Sequence, residues 1–204
     1  YAALAQVDVQ PVKNLALGVT YTHSYGLDPF GGTGSTGASS AASPFGVNTR
    51  TTFVDNVRDQ AADAVGFQFT YRPIRKFNIA GWAGYANVYG VRAGGFTGAN
   101  RREAEIVNWA ITLASPDLWR KGDLAGLVFG QPPQLVSIRN VPLPFSQNPA
   151  DYTGFNSFHL EGFYRFAVSK NISVTPGIIA VFNPNSNPNN DTLVIGAIRT
   201  TFSF

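Results

Sequence analysis

The chain has 204 residues and a net charge of +3, from 15 basic and 12 acidic residues. Charged residues make up 13 % of the sequence, about half the share usual in soluble domains, while aromatic residues also reach 13 %. This composition argues against an ordinary soluble domain, which needs a charged surface. Because the basic residues are scattered, it also argues against a nucleic-acid partner.

No stretch approaches the roughly 18 to 20 continuous apolar residues that a membrane helix requires. Inside a bilayer every backbone polar group must be satisfied, so a chain without such helices crosses as a closed β-barrel. Cysteine is absent, which excludes disulfides and thiolate metal sites, and we expect no cofactor. No basic-then-apolar leader follows Tyr1, so we expect the signal peptide of an exported protein to lie outside this sequence.

Apolar residues alternate with small or polar residues in segments of about ten residues, which is typical of half-buried strands. From residue 15, for example, Leu15, Leu17, Val19 and Tyr21 alternate with alanine, glycine and threonine. A small, polar or charged second face is typical of a barrel lumen. The pattern predicts roughly nine strands, at about 2–10, 15–25, 62–72, 77–89, 103–114, 123–131, 156–167, 172–182 and 191–204.

The connections between these strands alternate in length. Those at 11–14, 73–76, 116–122 and 168–171 are tight, whereas 26–61, 90–102, 132–155 and 183–190 are longer and rich in Gly, Pro, Asn and Ser. Short periplasmic turns and longer outer loops are typical of membrane barrels. The predicted fold is therefore an all-β, transmembrane, antiparallel up-and-down barrel, and a soluble β-sandwich is the alternative.

The last predicted strand ends in Phe202 and Phe204, which share one face. A terminal strand ending in Phe is the signal that the outer-membrane assembly machinery recognises, and in a soluble protein such an exposed edge would promote aggregation. If this end lies on the short-turn side, Tyr1 lies on the long-loop side. Because bacterial barrels normally have an even strand number and both termini in the periplasm, we predict that strands preceding Tyr1 are missing, unless residues 1–10 are not a wall strand.

Several stretches resemble the carbohydrate-selective, OprB-type porins: 115–126 (SPDLWRKGDLAG), 158–166 (FHLEGFYRF) and 172–177 (ISVTPG). Residues 183–204 resemble the cyanobacterial branch of that family. The resemblance implies a barrel of about sixteen strands, commonly a homotrimer, in a cyanobacterial outer membrane in contact with lipid and lipopolysaccharide. Residues 1–204 are then the C-terminal part of this barrel. Its N-terminal strands and any surface-layer-homology domain are absent from this sequence.

The candidate pore-lining residues are charged or titratable residues on the predicted lumen side: Arg72, His159, Glu161, Arg165 and Arg199. Fixed charges at a narrow point of a channel set its ion preference. His159 and Glu161 also form an H-x-E pair, but a zinc site needs at least three converging ligands and His23 lies far away in sequence. We therefore favour a lumen wall over a metal or catalytic site.

Other motifs receive less specific interpretations. Residues 94–98 (GGFTG) lack the Lys-Ser/Thr of a phosphate loop, so a tight outer turn is favoured. Trp82 falls on the predicted lumen side, where sugar stacking, a packing role and a register slip all remain open. The remaining charges are assigned to loops and the outer rim: Asp28, Asp55, Arg101, Arg102, Glu103 and Glu105.

The sequence thus favours a porin that lets small hydrophilic solutes, carbohydrates or inorganic ions, diffuse through a water-filled channel. The alternative is a small closed barrel, filled by its own side chains, with a structural or adhesion role. Small residues on the predicted lumen side, such as Gly18, Thr20 and Gly177, favour the wide barrel. A barrel enzyme is disfavoured because no convincing Ser–His–acid grouping is present.

Overall fold

The protein is described from a computed structural model, which covers residues 1–26, 60–90, 103–139, 157–184 and 189–203. Within these residues one nine-stranded antiparallel sheet runs in chain order, each strand pairing with the next. The strands are β1 Ala2–Val12, β2 Leu15–Gly26, β3 Gln60–Ile74, β4 Phe77–Gly90, β5 Glu103–Pro116, β6 Leu124–Arg139, β7 Phe158–Ala167, β8 Ile172–Phe182 and β9 Leu193–Phe202. The predicted all-β, up-and-down arrangement is confirmed. No helix in the described ranges is long and apolar enough to span a bilayer.

Strand β6 is longer than the sequence predicted. It continues to Arg139, so the predicted loop 132–155 is wrong for residues 132–139. Its pairing with β5 shifts register between Glu105 and Ile106 and again between Val107 and Trp109. Such bulges place extra residues on one strand, which lets a strand contain prolines that cannot donate a ladder hydrogen bond. Residues 140–155 lie outside the described part.

The register divides the sheet into two faces. On the first, Tyr21 lies opposite Val65, Val65 opposite Tyr85, and Tyr85 opposite Val107. We call this the apolar face. The opposite face, which we call the mixed face, includes a row that crosses every strand: Asp8, Gly18, Gln68, Trp82, Ala110, Gly130, His159, Val181 and Leu193.

The apolar face is exposed across the whole sheet. Val19 is 50 % exposed on β2, Ile111 46 % on β5 and Ile198 78 % on β9. No described strand packs over this face, because all nine strands belong to the single sheet. Monomeric soluble proteins rarely expose apolar patches of this extent, whereas a barrel wall presents such a band to lipid.

The most deeply buried side chains lie mainly on the mixed face. They are near the strand ends to which the long connections attach. Val88 is fully buried and lies opposite Ala62, and Ile106 is 2 % exposed and lies opposite Ala86. The alternation predicted that the second face would carry small, polar or charged residues. The mixed face differs from this prediction, because it also carries buried apolar side chains. Its polar character is concentrated at mid-height and toward the short turns.

The turns at 13–14, 75–76, 117–123 and 168–171 all lie at one margin of the sheet, which we call the short-turn edge. The end of β9 lies at the same edge, where the amide of Ser203 donates to the carbonyl of Asn171 at 2.9 Å. Among the described residues, β1 pairs with β2 alone and β9 with β8 alone, so the sheet is not closed. Both outermost strands are exposed along their whole length.

Candidate pore wall

The residues predicted to line a pore all fall on the mixed face. On β7, His159 lies opposite Gly130, and Glu161 and Arg165 follow it at alternate positions. On β9, Arg199 lies opposite Thr175 of β8, which is on the same face. Arg72 follows Thr70 of that face by two positions on β3. Arg72 lies four strands away from β7, so the structure does not bring it to the others.

Arg165 and Arg199 flank Thr175 at one level of the sheet. Arg199 is paired with Thr175, and the unbroken register between β7 and β8 places Arg165 opposite the same threonine. Two strand spacings of about 4.8 Å separate their backbones by roughly 10 Å. Arg165 also donates from Nη2 to the carbonyl of Gly122 at 3.2 Å, which holds its guanidinium near the short-turn edge. The arrangement concentrates positive charge at this level.

His159 and Glu161 form a pair further from the short-turn edge. The His159 Nε2 and Glu161 Oε2 atoms are 3.4 Å apart, and the side chains are 25 % and 34 % exposed. Glu161 lies four positions from Arg165, about 13 Å along the strand. Across the described ranges no group of three or more His, Cys, Asp or Glu residues could hold a metal ion.

Trp82 projects from the mixed face without any slip in register. It lies opposite Gln68 on β3 and Ala110 on β5, and the pairing is regular on both sides. The register slip left open by the sequence is therefore wrong. The side chain is 47 % exposed, and Ala80 and Gly84 flank it on the same face, so its ring stands above small neighbours.

A hydrogen-bonded polar network on β1 to β3 was missed from the sequence. Asp8 Oδ2 accepts from Gln6 Nε2 at 2.7 Å, and Asp8 Oδ1 accepts from Gln68 Nε2 at 3.4 Å. Thr20 Oγ1 donates to Gln6 Oε1 at 3.1 Å. Gly18 lies beneath them, where a Cβ would collide with Asp8 and Gln68. In the sequence, the alternation of Gln6 and Asp8 with valines could have indicated this polar network.

His23 lies on the opposite face from His159. Its Nδ1 is 2.8 Å from Asp63 Oδ1, and Asp63 also accepts from the Tyr21 hydroxyl at 2.6 Å. The Tyr1 hydroxyl is 3.3 Å from His23 Nε2. This cluster lies on the side of the apolar face, near the long connections. The two histidines therefore cannot share a ligand site.

Asp123 anchors the turn between β5 and β6 to β7. Its carboxylate accepts from the Ala167 amide at 2.9 Å and from the Tyr164 hydroxyl at 2.8 Å, and the residue is 2 % exposed. The hydrogen bond from Ala167 is the main cause that lowers the pKa of the Asp123 carboxyl. Within the turn, Asp117 and Gly122 adopt positive φ angles of 54° and 94°, and the Gly122 amide donates to Asp117 Oδ1 at 2.6 Å.

Other predicted residues fall at the margins or outside the described ranges. Phe202 lies opposite Ile172 on the apolar face and is 59 % exposed. Glu103 and Glu105 begin β5 at the long-connection side. The described ranges exclude the second assembly-signal residue, the glycine-rich turn and the remaining loop and rim residues: Phe204, 94–98, Asp28, Asp55, Arg101 and Arg102.

Comparison with known proteins places this sheet in a family. Residues 1–204 match the family described as carbohydrate-selective porin, OprB family. The chain belongs to the OprB family. The sequence-based resemblance is thereby confirmed, and the soluble β-sandwich is excluded. The OprB family is one of transport channels and implies an outer-membrane β-barrel, so the nine-stranded sheet is barrel wall.

Two cyanobacterial relatives align with the whole of this OprB-family chain. An uncharacterized protein of Nostoc sp. is 33 % identical over 207 residues, and the match covers 32 % of that protein. An uncharacterized protein of Synechocystis sp. is 32 % identical over 219 residues, and the match covers 36 % of it. The chain thus spans about a third of the length of these curated relatives. No solved structure matches the chain significantly.

Proposed function

We propose that this chain forms part of the wall of a water-filled outer-membrane channel through which small hydrophilic solutes diffuse passively. The observation that carries the proposal is the exposed apolar face, which is continuous over nine strands, while all five candidate pore-lining residues lie on the other face. Lipid is the partner that such a face requires, and water is the partner of the mixed face. No covalent chemistry is involved.

Selection in this channel comes from pore width and wall charge. Arg165 and Arg199 attract anions at one level of the wall. Trp82 offers an exposed aromatic ring to the apolar face of a sugar. Arg72, His159 and Glu161 complete the set of pore-lining residues that we propose. Carbohydrates and inorganic ions are both within the range of solutes that this wall accommodates.

The proposal extends to the surroundings of the channel. We propose that lipid and lipopolysaccharide of a cyanobacterial outer membrane contact the apolar face, and that the complete barrel of about sixteen strands assembles as a homotrimer. Phe202 and Phe204 are proposed as the signal for the outer-membrane assembly machinery. The sequence similarity to cyanobacterial proteins and the exposure of Phe202 support this view.

Planar bilayers test the proposed function directly. The full-length protein, purified as folded barrels, is expected to give open channels whose current is roughly linear with voltage. A folded protein that leaves the bilayers silent would contradict the proposal. It would favour the small closed barrel with a structural role, whose interior its own side chains fill.

A further inference from the structure

A concave pocket of about 450 Å³ opens at the short-turn edge. It lies between the β5–β6 turn, the β7–β8 turn and the end of β9. Its charged lining residues are Lys121, Arg165 and Lys170. Among the described residues that line the pocket there is no carboxylate. The pocket therefore gathers positive charge from elements that are far apart in sequence.

Four side chains with hydroxyl groups also line the pocket: Ser169, Ser173, Thr201 and Ser203. Ser173 of β8 lies directly opposite Thr201 of β9, one position closer to the short-turn edge on that face than the Thr175–Arg199 pair. The end of β9 is fixed beside them, because Asn171 Nδ2 donates to the Ser203 carbonyl at 2.6 Å and the Ser203 amide donates back to Asn171. These two hydrogen bonds fix the end of β9 against the β7–β8 turn, next to the Ser173–Thr201 pair.

Among the described residues, no acid forms an ion pair with the charged groups of the pocket. In the described ranges neither Lys121 nor Lys170 lies within ion-pair distance of a carboxylate. Asp123 is close in sequence to Lys121, but its oxygens accept hydrogen bonds from Tyr164 and Ala167, and it is buried and does not line the pocket. Arg165 donates its hydrogen bond to a carbonyl, and within the described ranges no carboxylate forms an ion pair with it.

We propose that this pocket binds a small oxyanion, such as inorganic phosphate or sulfate, at the short-turn mouth of the barrel. Lysine and arginine with hydroxyl donors supply charge-assisted hydrogen bonds to tetrahedral oxyanions. A neutral sugar would leave the cluster of cations without a counter-charge. A pocket of one charge sign also raises the local concentration of its ligand. The place of the site at a channel mouth rests on the proposed function, whereas the binding itself does not.

A lipid phosphate could offer the same chemistry, but the pocket lies on the face opposite the apolar face. We therefore commit to a free oxyanion, and the experiment separates the two sources. The full-length protein is placed in nanodiscs of zwitterionic lipid at constant ionic strength and titrated calorimetrically with inorganic phosphate. The titration is repeated in nanodiscs that contain an anionic phospholipid. Heat-dependent gel migration verifies that each variant is folded.

We expect saturable phosphate binding of equal affinity in both lipids. Lys121→Gln and Lys170→Gln should each weaken it about fivefold, as expected for the loss of one exposed charge contact. Both lysines lie in exposed turns, so either variant can test the site if the other fails to fold. Lys13→Gln is the matched control, because Lys13 lies in the β1–β2 turn at the same short-turn edge but several strands away from the pocket, and this variant should bind like the unaltered protein.

Three results would overturn the oxyanion site. They are the absence of saturable binding, an affinity in the folded Lys121→Gln and Lys170→Gln variants equal to that of the unaltered protein, and loss of phosphate binding in anionic lipid, which would assign the pocket to a lipid headgroup.

Channel recordings distinguish failure of the oxyanion site from failure of the proposed function. Open channels without phosphate binding would remove the site alone, and phosphate binding with silent bilayers would remove the channel alone.

Discussion

Arg165 and Arg199 stand on either side of Thr175, so their charges act on the same section of the mixed face. Neutralising either residue, as Arg165→Gln or Arg199→Gln, should shift the ion preference of the channel toward cations, because a fixed positive charge is removed from the wall. The measurement is the reversal potential under a salt gradient. Arg75→Gln, a turn residue outside the mixed face, is the control. Reversal potentials unchanged from the unaltered protein would exclude these arginines from ion selection.

Trp82 presents an exposed ring among small neighbours. Trp82→Ala should reduce the block of ion current by added sugar severalfold, because an aromatic face is lost from the wall while the pore is widened. Current is recorded in planar bilayers with increasing maltose. Trp119→Ala, in the β5–β6 turn, removes an exposed Trp whose ring packs against Tyr164, and it should leave the sugar block unchanged. Equal sugar block in Trp82→Ala would assign the ring a packing role.

Asp123 connects folding stability to pH. Its pKa in the folded state lies below the ordinary value of 3.8, so its carboxylate stabilises the fold above that value and the stabilisation is lost as the pH falls through the folded-state pKa. Asp123→Asn should therefore be less stable than the unaltered protein at neutral pH, with the difference shrinking below pH 3.8. Urea unfolding across the acid range measures this. Asp191→Asn, at an exposed position, is the control, and a pH-independent difference would contradict the assignment.

Much of the candidate site could be predicted at the level of single residues. Strand alternation alone placed Glu161, Arg165 and Arg199 on one face, since side chains alternate with a period of two. The contact of Asp8 with Gln68 could not be predicted, because it depends on the pairing of strands that the long 26–61 connection separates. The oxyanion pocket was missed for a similar reason, since two turns and a strand end meet there.

At the scale of elements, the predicted bounds of β8 are confirmed and those of β2 differ by one residue. A strand with one lipid face and one mixed face shows its alternation throughout, so the pattern locates it well. Strand β6 is the exception. Pro132 and Pro133 are typical of a loop, and the register shift between Val107 and Trp109 that accommodates them cannot be predicted from the alternation.

Two glycines on the mixed face differ in the space around them: the neighbouring strand lies close to Gly130, whereas the space at Gly66 is open. A Cβ at Gly130 would lie 2.6 Å from the Ala110 Cβ and against the Trp109 carbonyl, whereas one at Gly66 would meet nothing within 4 Å. Gly130→Ala should therefore destabilise the barrel by about 1 to 3 kcal/mol, the usual cost of overpacking. Gly66→Ala should be neutral or slightly stabilising, because alanine costs less backbone entropy. Equal unfolding midpoints in urea for the two variants would contradict the register of β5 and β6.

At the scale of the whole molecule, the nine-stranded sheet is open and its outermost strands are exposed. A membrane barrel cannot leave such edges unpaired, because their backbone groups would face hydrocarbon. The chain spans about a third of its curated relatives, so further strands have room in a full-length protein. We expect β1 and β9 to pair with those strands, in a barrel of about sixteen.

The central claim is that the mixed face lines water and the apolar face contacts lipid. This chain contains no cysteine, so single cysteines can be introduced into it at chosen positions. Thr175→Cys and Ala197→Cys place a thiol on the mixed face, and Ile178→Cys and Ile198→Cys place one on the apolar face of the same strands.

Treatment of open channels with a charged, water-soluble thiol reagent, followed by single-channel recording, is the most direct test. We predict that the Thr175→Cys and Ala197→Cys channels lose conductance on treatment, while the Ile178→Cys and Ile198→Cys channels do not change. Conductance loss at the isoleucine positions, with no change at Thr175 and Ala197, would contradict the account.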